Sequence, residues 1–306
     1  MPISRRALLA TCLCLSSSAA SAVDDPGAIA RGEYVFHAAG CLACHTDEEG
    51  KGAPLAGGRA LVTPHGTFYT PNITLDPEHG IGRWSEADFV RAVTEGIAPA
   101  GSPYYPAFPY TAYTRMRRED VQALWAYLQS VPPAARPNRP HELPAYLQSR
   151  VVNWVWRGLY FRPGAYQDNP ARGGEWNRGA YLAEAMAHCG ECHTPRDSLG
   201  GLEAGKRYAG TAQGPEGAVV PNITPDRQSG IGRWRTDDLA YFLESGATPG
   251  GDYTGGLMAD VIEHGTRHLT EADRQAIAAY VLSLPPVENT LKRADRKRSK
   301  RRGELE

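Results

Sequence analysis

The chain has 306 residues, with 33 Lys+Arg against 34 Asp+Glu and 42% hydrophobic residues. That length allows two modest units with connections, and the near-neutral balance gives no ground for a nucleic-acid partner. No segment after the first 22 residues is long and apolar enough to span a bilayer, which excludes a polytopic membrane protein.

The N-terminus carries Arg5 and Arg6, an apolar run over residues 7–15, and Ala20-Ser21-Ala22. This is the pattern of a cleavable export signal over residues 1–22. Its apolar run is too short to cross a bilayer. Residues 23–133 read as a first helical unit, in which Arg31-Gly32-x-Tyr34 leads into Cys41-Leu-Ala-Cys44-His45. On one helical turn, cysteines at i and i+3 face the same side, where both sulfurs can form thioethers with the two vinyl groups of a haem. His45 then lies against the ring as a proximal iron ligand. A zinc knuckle or a redox dithiol also uses Cys-x-x-Cys. Zinc would need further ligands nearby, however, and a dithiol has no use for the histidine. A second copy, Cys189-Gly-Glu-Cys192-His193, decides for two covalently attached haem c groups. The remaining cysteines, Cys12 and Cys14, fall in the leader, so none is left for a disulfide.

Further along, Pro71-Asn72-Ile73-Thr74 and Gly80-Ile81-Gly82-Arg83-Trp84 recur, identically spaced, as Pro221-Asn222-Ile223-Thr224 and Gly230-Ile231-Gly232-Arg233-Trp234. The recurrence of Asn-Ile-Thr inside this block favours a turn over a glycosylation sequon. Each block runs into an acidic-capped short helix, predicted over residues 85–95 before Gly96 and over residues 236–245 before Gly246. Val121, Leu124, Trp125 and Leu128 predict a final helix over residues 120–130, repeated over residues 270–283 with Ile277 and Val281. A Pro-Pro pair stops both. The expected order in each unit is helix, motif, long loop, short helix, long loop, final helix. Residues 134–174 form a proline-rich linker whose aromatic run, residues 154–161, is expected to pack across both units, with a membrane-surface role as the lesser alternative. Residues 175–286 make the second unit. Residues 287–306 form a basic tail, with eight Lys or Arg in residues 292–302, expected to be solvated and disordered.

The arrangement Gly-x-Tyr-x6-Cys-x-x-Cys-His, followed by Thr-Pro-Asn-Ile-Thr-x-Asp and Gly-Ile-Gly-x-Trp, resembles the class I-type modules of bacterial dehydrogenase cytochrome c subunits. Those subunits serve membrane-bound alcohol dehydrogenase, gluconate dehydrogenase and related oxidoreductases. The resemblance covers residues 31–286 and departs from three-haem members in having two motifs. It implies an all-α fold of two tandem class I-type cytochrome c modules, with haem c bound through Cys41, Cys44, Cys189 and Cys192. His45 and His193 are the implied proximal ligands, with methionine opposite at least one iron. Met258 looks like the ligand in the second module. In the first, the slot where related subunits place methionine before Pro-Tyr reads Ala107-Phe108-Pro109-Tyr110. Met116 is the remaining candidate there, although it aligns with apolar Leu269, and that fits packing as well as coordination.

The expected protein is a periplasmic dihaem electron carrier with no bond-making chemistry of its own. Its donor would be a periplasmic or membrane-bound dehydrogenase and its acceptor an oxidase or small cytochrome. The basic tail would offer contact with an anionic membrane surface. The alternative is a dihaem enzyme, peroxidase-like or thiosulfate-oxidising, with an open or unusual haem ligand. No paired acid/base motif or nucleophile supports that alternative.

Overall fold

The computed structural model describes residues 26–291, so the expected export signal and residues 292–306 of the expected tail lie outside the described residues. In the first half, α1 (Pro26–Ala38) leads to a one-turn α2 (Cys41–His45), then α3 (Glu86–Glu95), α4 (Tyr110–Tyr113) and α5 (Arg118–Leu128). After α6 (Arg150–Tyr160), the second half repeats the order as α7 (Gly174–Tyr181), α8 (Cys189–His193), α9 (Thr236–Ser245), α10 (Leu257–His264) and α11 (Glu271–Leu282). The helical expectation holds with one exception. An antiparallel hairpin, β1 (Ala60–Thr63) and β2 (Gly66–Tyr69), occupies part of the first long loop and has no strand counterpart in the second half among the described residues.

Local signals explain the helix ends. Ser85 accepts from Asp88 N at 3.1 Å while Asp88 accepts from Ser85 N, a reciprocal cap for α3. Gly96 and Gly246 close α3 and α9 in the left-handed region, at φ 65° and 77°.

Each half is built on a close helix crossing, α1 on α5 and α7 on α11. A Cβ on Gly32 would stand 2.0 Å from Ala123 O, and one on Gly179 would stand 1.9 Å from Ala276 O. Only glycine lets these backbones touch. Beside each crossing an arginine holds an aspartate, Arg31 with Asp120 at 2.7 Å and Arg178 with Asp273 at 2.6 Å. The tyrosine of the repeated Gly-x-Tyr then reaches into the opposite half. Tyr181 donates to Asp120 at 2.5 Å, and Tyr34 donates to Asp273. Each hydroxyl also accepts from the backbone N–H at the start of the final helix there, Arg117 N at 3.0 Å and Thr270 N at 3.2 Å. The halves therefore face each other with the reciprocity of a two-fold interface inside one chain. Burial works against charge on Asp273, but Arg178 and Tyr34 hold its carboxyl below the ordinary range.

Several expectations need adjustment. The Gly-x-Tyr-x6-Cys spacing fits only the first half, because seven residues separate Tyr181 from Cys189. A π-helical turn over Leu182–Met186 absorbs the extra residue and keeps the crossing in register. The unit boundaries at residues 133 and 286 fall short of the packed chain. Ala134 N and Val287 N each donate to the threonine of the repeated block, Thr74 and Thr224, at 3.1 Å. Asn289 goes on to bond Ala209 O and Ser229, so residues 287–291 belong to the folded body and not to a disordered tail. Met258, expected in a loop, lies on α10.

Candidate haem attachment sites

Both motifs form a single helical turn entered through a left-handed residue, Gly40 at φ 65° and His188 at φ 38°. Cys44 is solvent-accessible, whereas Cys41, Cys189 and Cys192 are half-buried. Burial pushes the Cys41 and Cys189 thiols up to about 12, and burial with the neighbouring Cys44 raises Cys192 to about 11. Burial holds these thiols in the neutral form, which is a poor nucleophile for dithiol exchange. No group of three or more His, Cys, Asp or Glu able to hold a metal ion occurs among the described residues.

The histidines are set up alike. His45 Nδ1 meets Pro71 O at 2.8 Å, and His193 Nδ1 meets Pro221 O at 2.8 Å. A carbonyl oxygen can only accept, so each Nδ1 carries the proton and each Nε2 keeps a free lone pair. Burial lowers both imidazole pKa values, partly offset by the proline carbonyl, which favours the neutral form that binds metal. A neutral imidazole with a free Nε2, directly after two thiols on one turn, fits haem c. Cys41, Cys44 and His45 would hold one group, and Cys189, Cys192 and His193 another.

The repeated block sets that geometry. Asn72 and Asn222 are each 2% exposed, and their Oδ1 accepts from the N–H and hydroxyl of Thr74 and Thr224. Their amide nitrogens donate to Ala134 O and Val287 O at 2.7 Å. Such enclosed, fully engaged amides are turn formers, as the recurrence predicts, and leave no room for a glycan.

Two residues escaped the sequence reading. Gly57 N donates to His45 O at 2.8 Å, and Gly210 N donates to His193 O at 2.7 Å. Both adopt positive φ, 70° and 76°, and a Cβ there would press on Pro71 C at 2.4 Å or Pro221 C at 2.5 Å. They let the loop lie directly against the peptide that orients each histidine. The signal was present as Ala56-Gly57 and Ala209-Gly210. The unequal lengths of the following loops hid it.

The two attachment turns sit close to one another. Tyr113 on α4 donates to Ala39 O at 2.7 Å, beside the first motif, and its ring meets His188 edge-on at 5.3 Å, beside the second. Thr111 donates to Glu191 inside the second motif at 2.7 Å. From the other half, Asp260 on α10 takes Arg59 at 2.8 Å, and the same guanidinium bonds Ala43 O inside the first motif.

The remaining candidates fall as follows. Met258 is half-buried near the start of α10 and packs against the core. Met116 is 2% exposed in the same core cluster as Val121 and Leu124, a placement matching that of Leu269 at 3%. His37, on α1 four residues before Cys41, has its Nδ1 at 2.9 Å from His264 O and its ring stacked on His268. Trp84 and Trp234 pack against the core.

A family model for cytochrome c matches residues 29–132. A dihaem c-type cytochrome of Cereibacter sphaeroides is 42% identical over 86% of this chain and 88% of its own length. The gluconate 2-dehydrogenase cytochrome c subunit of Pantoea cypripedii is 39% identical over 91% of this chain, and the quinone alcohol dehydrogenase cytochrome c subunit of Gluconobacter oxydans is 37% identical over 90%. The chain spans 65% and 59% of the lengths of those two subunits. With the thiol and imidazole geometry pointing the same way, the chain belongs to the c-type cytochrome family of these dihaem proteins and dehydrogenase subunits, and its cofactor is covalently bound haem c.

Proposed function

We propose that the protein is a periplasmic dihaem electron carrier built from two tandem cytochrome c modules, residues 23–133 and 175–286, each extended by the short straps after its Pro-Pro pair. The observation that carries this reading is the duplicated turn of two cysteines and a neutral histidine, with Nδ1 held by a proline carbonyl at the same 2.8 Å distance. Haem c, once bound, supplies an iron that takes up and gives up single electrons. The chain fixes each imidazole, closes each attachment turn with glycine and threonine, and brings the two turns together through Tyr113 and Glu191. Two haems held by these turns would therefore be anchored at neighbouring points of the chain. No bond-making step belongs to the chain itself, and relatives that are cytochromes or cytochrome subunits support this over the enzyme alternative. A periplasmic or membrane-bound dehydrogenase is the proposed donor, an oxidase or small cytochrome the acceptor, and the cations of residues 292–302 a contact for anionic lipid.

Intact mass tests the first step. The mature protein should exceed its polypeptide mass by two haems that denaturant does not release, and a gain of one or none overturns the reading. The distal ligands have their own test. We propose Met258 at the second iron and Met116 as the candidate at the first. Leucine keeps the apolar volume at either site and removes the sulfur. If both coordinate, each single substitution halves the near-infrared sulfur-to-iron band and lowers one potential. A band untouched by Met116→Leu and abolished by Met258→Leu removes Met116 from the ligand set.

A further inference from the structure

Helix α6 is amphipathic in the reverse of the usual sense. Val151, Trp154, Val155 and Leu159 recur at i, i+3, i+4 and i+8, yet they are 68%, 48%, 58% and 52% exposed. Polar and hydrogen-bonding groups face the body instead. Asn153 is buried, Trp156 Nε1 donates to Leu199 O at 3.0 Å, Tyr160 donates to Asp197 at 2.8 Å, and Arg157 donates to Glu95 O at 3.0 Å. These contacts reach both halves, so the helix cannot roll its apolar stripe inward. A fixed, outward row of valine, leucine and tryptophan marks a surface that something covers.

We infer that α6 lies in the interface of an anionic bilayer, apolar stripe down. Charge selects that occupant. Residues 143–167 contain no acid and leave Arg150 and Arg162 exposed, Arg157 being turned to Glu95, within a body (residues 23–291) holding 23 Lys+Arg against 31 Asp+Glu. The segment is a local cationic zone on a protein that anionic lipid otherwise repels. Tryptophan, aliphatic residues and arginine together on one helix are the composition of an in-plane interfacial helix. No described helix is long and apolar enough to cross the bilayer, so the contact is peripheral. The basic residues 292–302 would add a second electrostatic contact, because one short helix binds weakly by itself. This inference does not depend on the haem assignments.

The test is co-sedimentation of the full haem-loaded protein with large vesicles of phosphatidylcholine and phosphatidylglycerol, beside vesicles of phosphatidylcholine alone. Val155→Asp with Leu159→Asp changes only exposed side chains, so helical circular dichroism and the haem spectrum should stay as in the parent. Binding to the anionic vesicles should fall at least fivefold. Deleting residues 292–306 should separately reduce the salt-dependent part while leaving the aspartate effect in place. Three outcomes overturn the inference: a parent protein that ignores anionic vesicles, a double variant that binds as the parent does, or a double variant that keeps vesicle binding but loses self-association or capture by a dehydrogenase. The last would assign the stripe to a protein partner.

Discussion

The two halves agree in how each motif histidine is held and diverge in the segment ahead of the final helix. Pro71 and Pro221 hold their histidines at the same 2.8 Å, and Thr46 and Thr194 accept from Leu55 N and Tyr208 N at the same 3.1 Å. Ahead of its final helix, the first half offers the four-residue α4 behind Phe108-Pro109, and the second offers the eight-residue α10 bearing Met258. Attachment tolerates little variation, since a displaced imidazole would lose both its orientation and its proton partner. The segment ahead of the final helix is where two centres in one chain can acquire different properties. In this chain it is also where the halves meet, because α4 carries Tyr113 to His188 and α10 carries Asp260 to Arg59.

The largest effect on this comparison should come from the shared crossing. Gly32→Ala and Gly179→Ala each force a methyl group onto a backbone carbonyl about 2 Å away. The helices must part, which should destabilise by about 3 kcal/mol at either site. Denaturant midpoints of the haem-loaded variants measure it. Equal losses would establish that both halves rest on the same crossing, whereas a loss at one site alone would break the equivalence.

Next come the reciprocal aspartates. Asp273→Asn weakens two hydrogen bonds to Arg178 and the one from Tyr34, and should cost about 2 kcal/mol. The acid dependence has a definite sign. The folded carboxyl titrates below its ordinary value of 3.8, so the folded state binds fewer protons than the unfolded state near that pH. The contribution is therefore fully present above about pH 4 and is lost as the pH falls through the folded value. Unfolding followed from pH 6 down to pH 2.5 should show a shallower acid decline in the asparagine variant. An unchanged decline would remove Asp273 from the groups that set acid stability.

Most of this architecture was legible because duplication makes its own control. The paired motifs, the block from Pro71 to Trp84 and the helix faces through Val121 and Ile277 each recur, so chance patterns could be set aside. What stayed hidden lacks a sequence periodicity. The hairpin of residues 60–69 has no copy, and α10 replaces a loop because its helical pattern is short and opens on glycines. The π turn could have been found by counting residues between Tyr181 and Cys189. The reversed polarity of α6 could not, since a helix with one apolar face reads the same whichever way that face points. Reciprocal contacts between halves are likewise invisible, because Tyr34 and Asp273 meet only through the tertiary fold.

The smallest expected effect concerns the residue that enters each attachment turn. The backbone at Gly40 and at His188 is left-handed, a conformation that glycine adopts freely and histidine does not. A Cβ on Gly40 would meet nothing within 4 Å, so Gly40→Ala isolates the conformational preference from any clash. It should destabilise by about 1 kcal/mol without changing haem content or spectrum. His188→Gly relieves the equivalent strain but loses the edge contact with Tyr113 and gains chain entropy on unfolding. These terms are of similar size and opposite sign, so its stability should stay within about 1 kcal/mol of the parent. If instead His188→Gly stabilises by clearly more than that, the ring contributes nothing at the junction, and the second half merely tolerates a histidine where the first has the better residue.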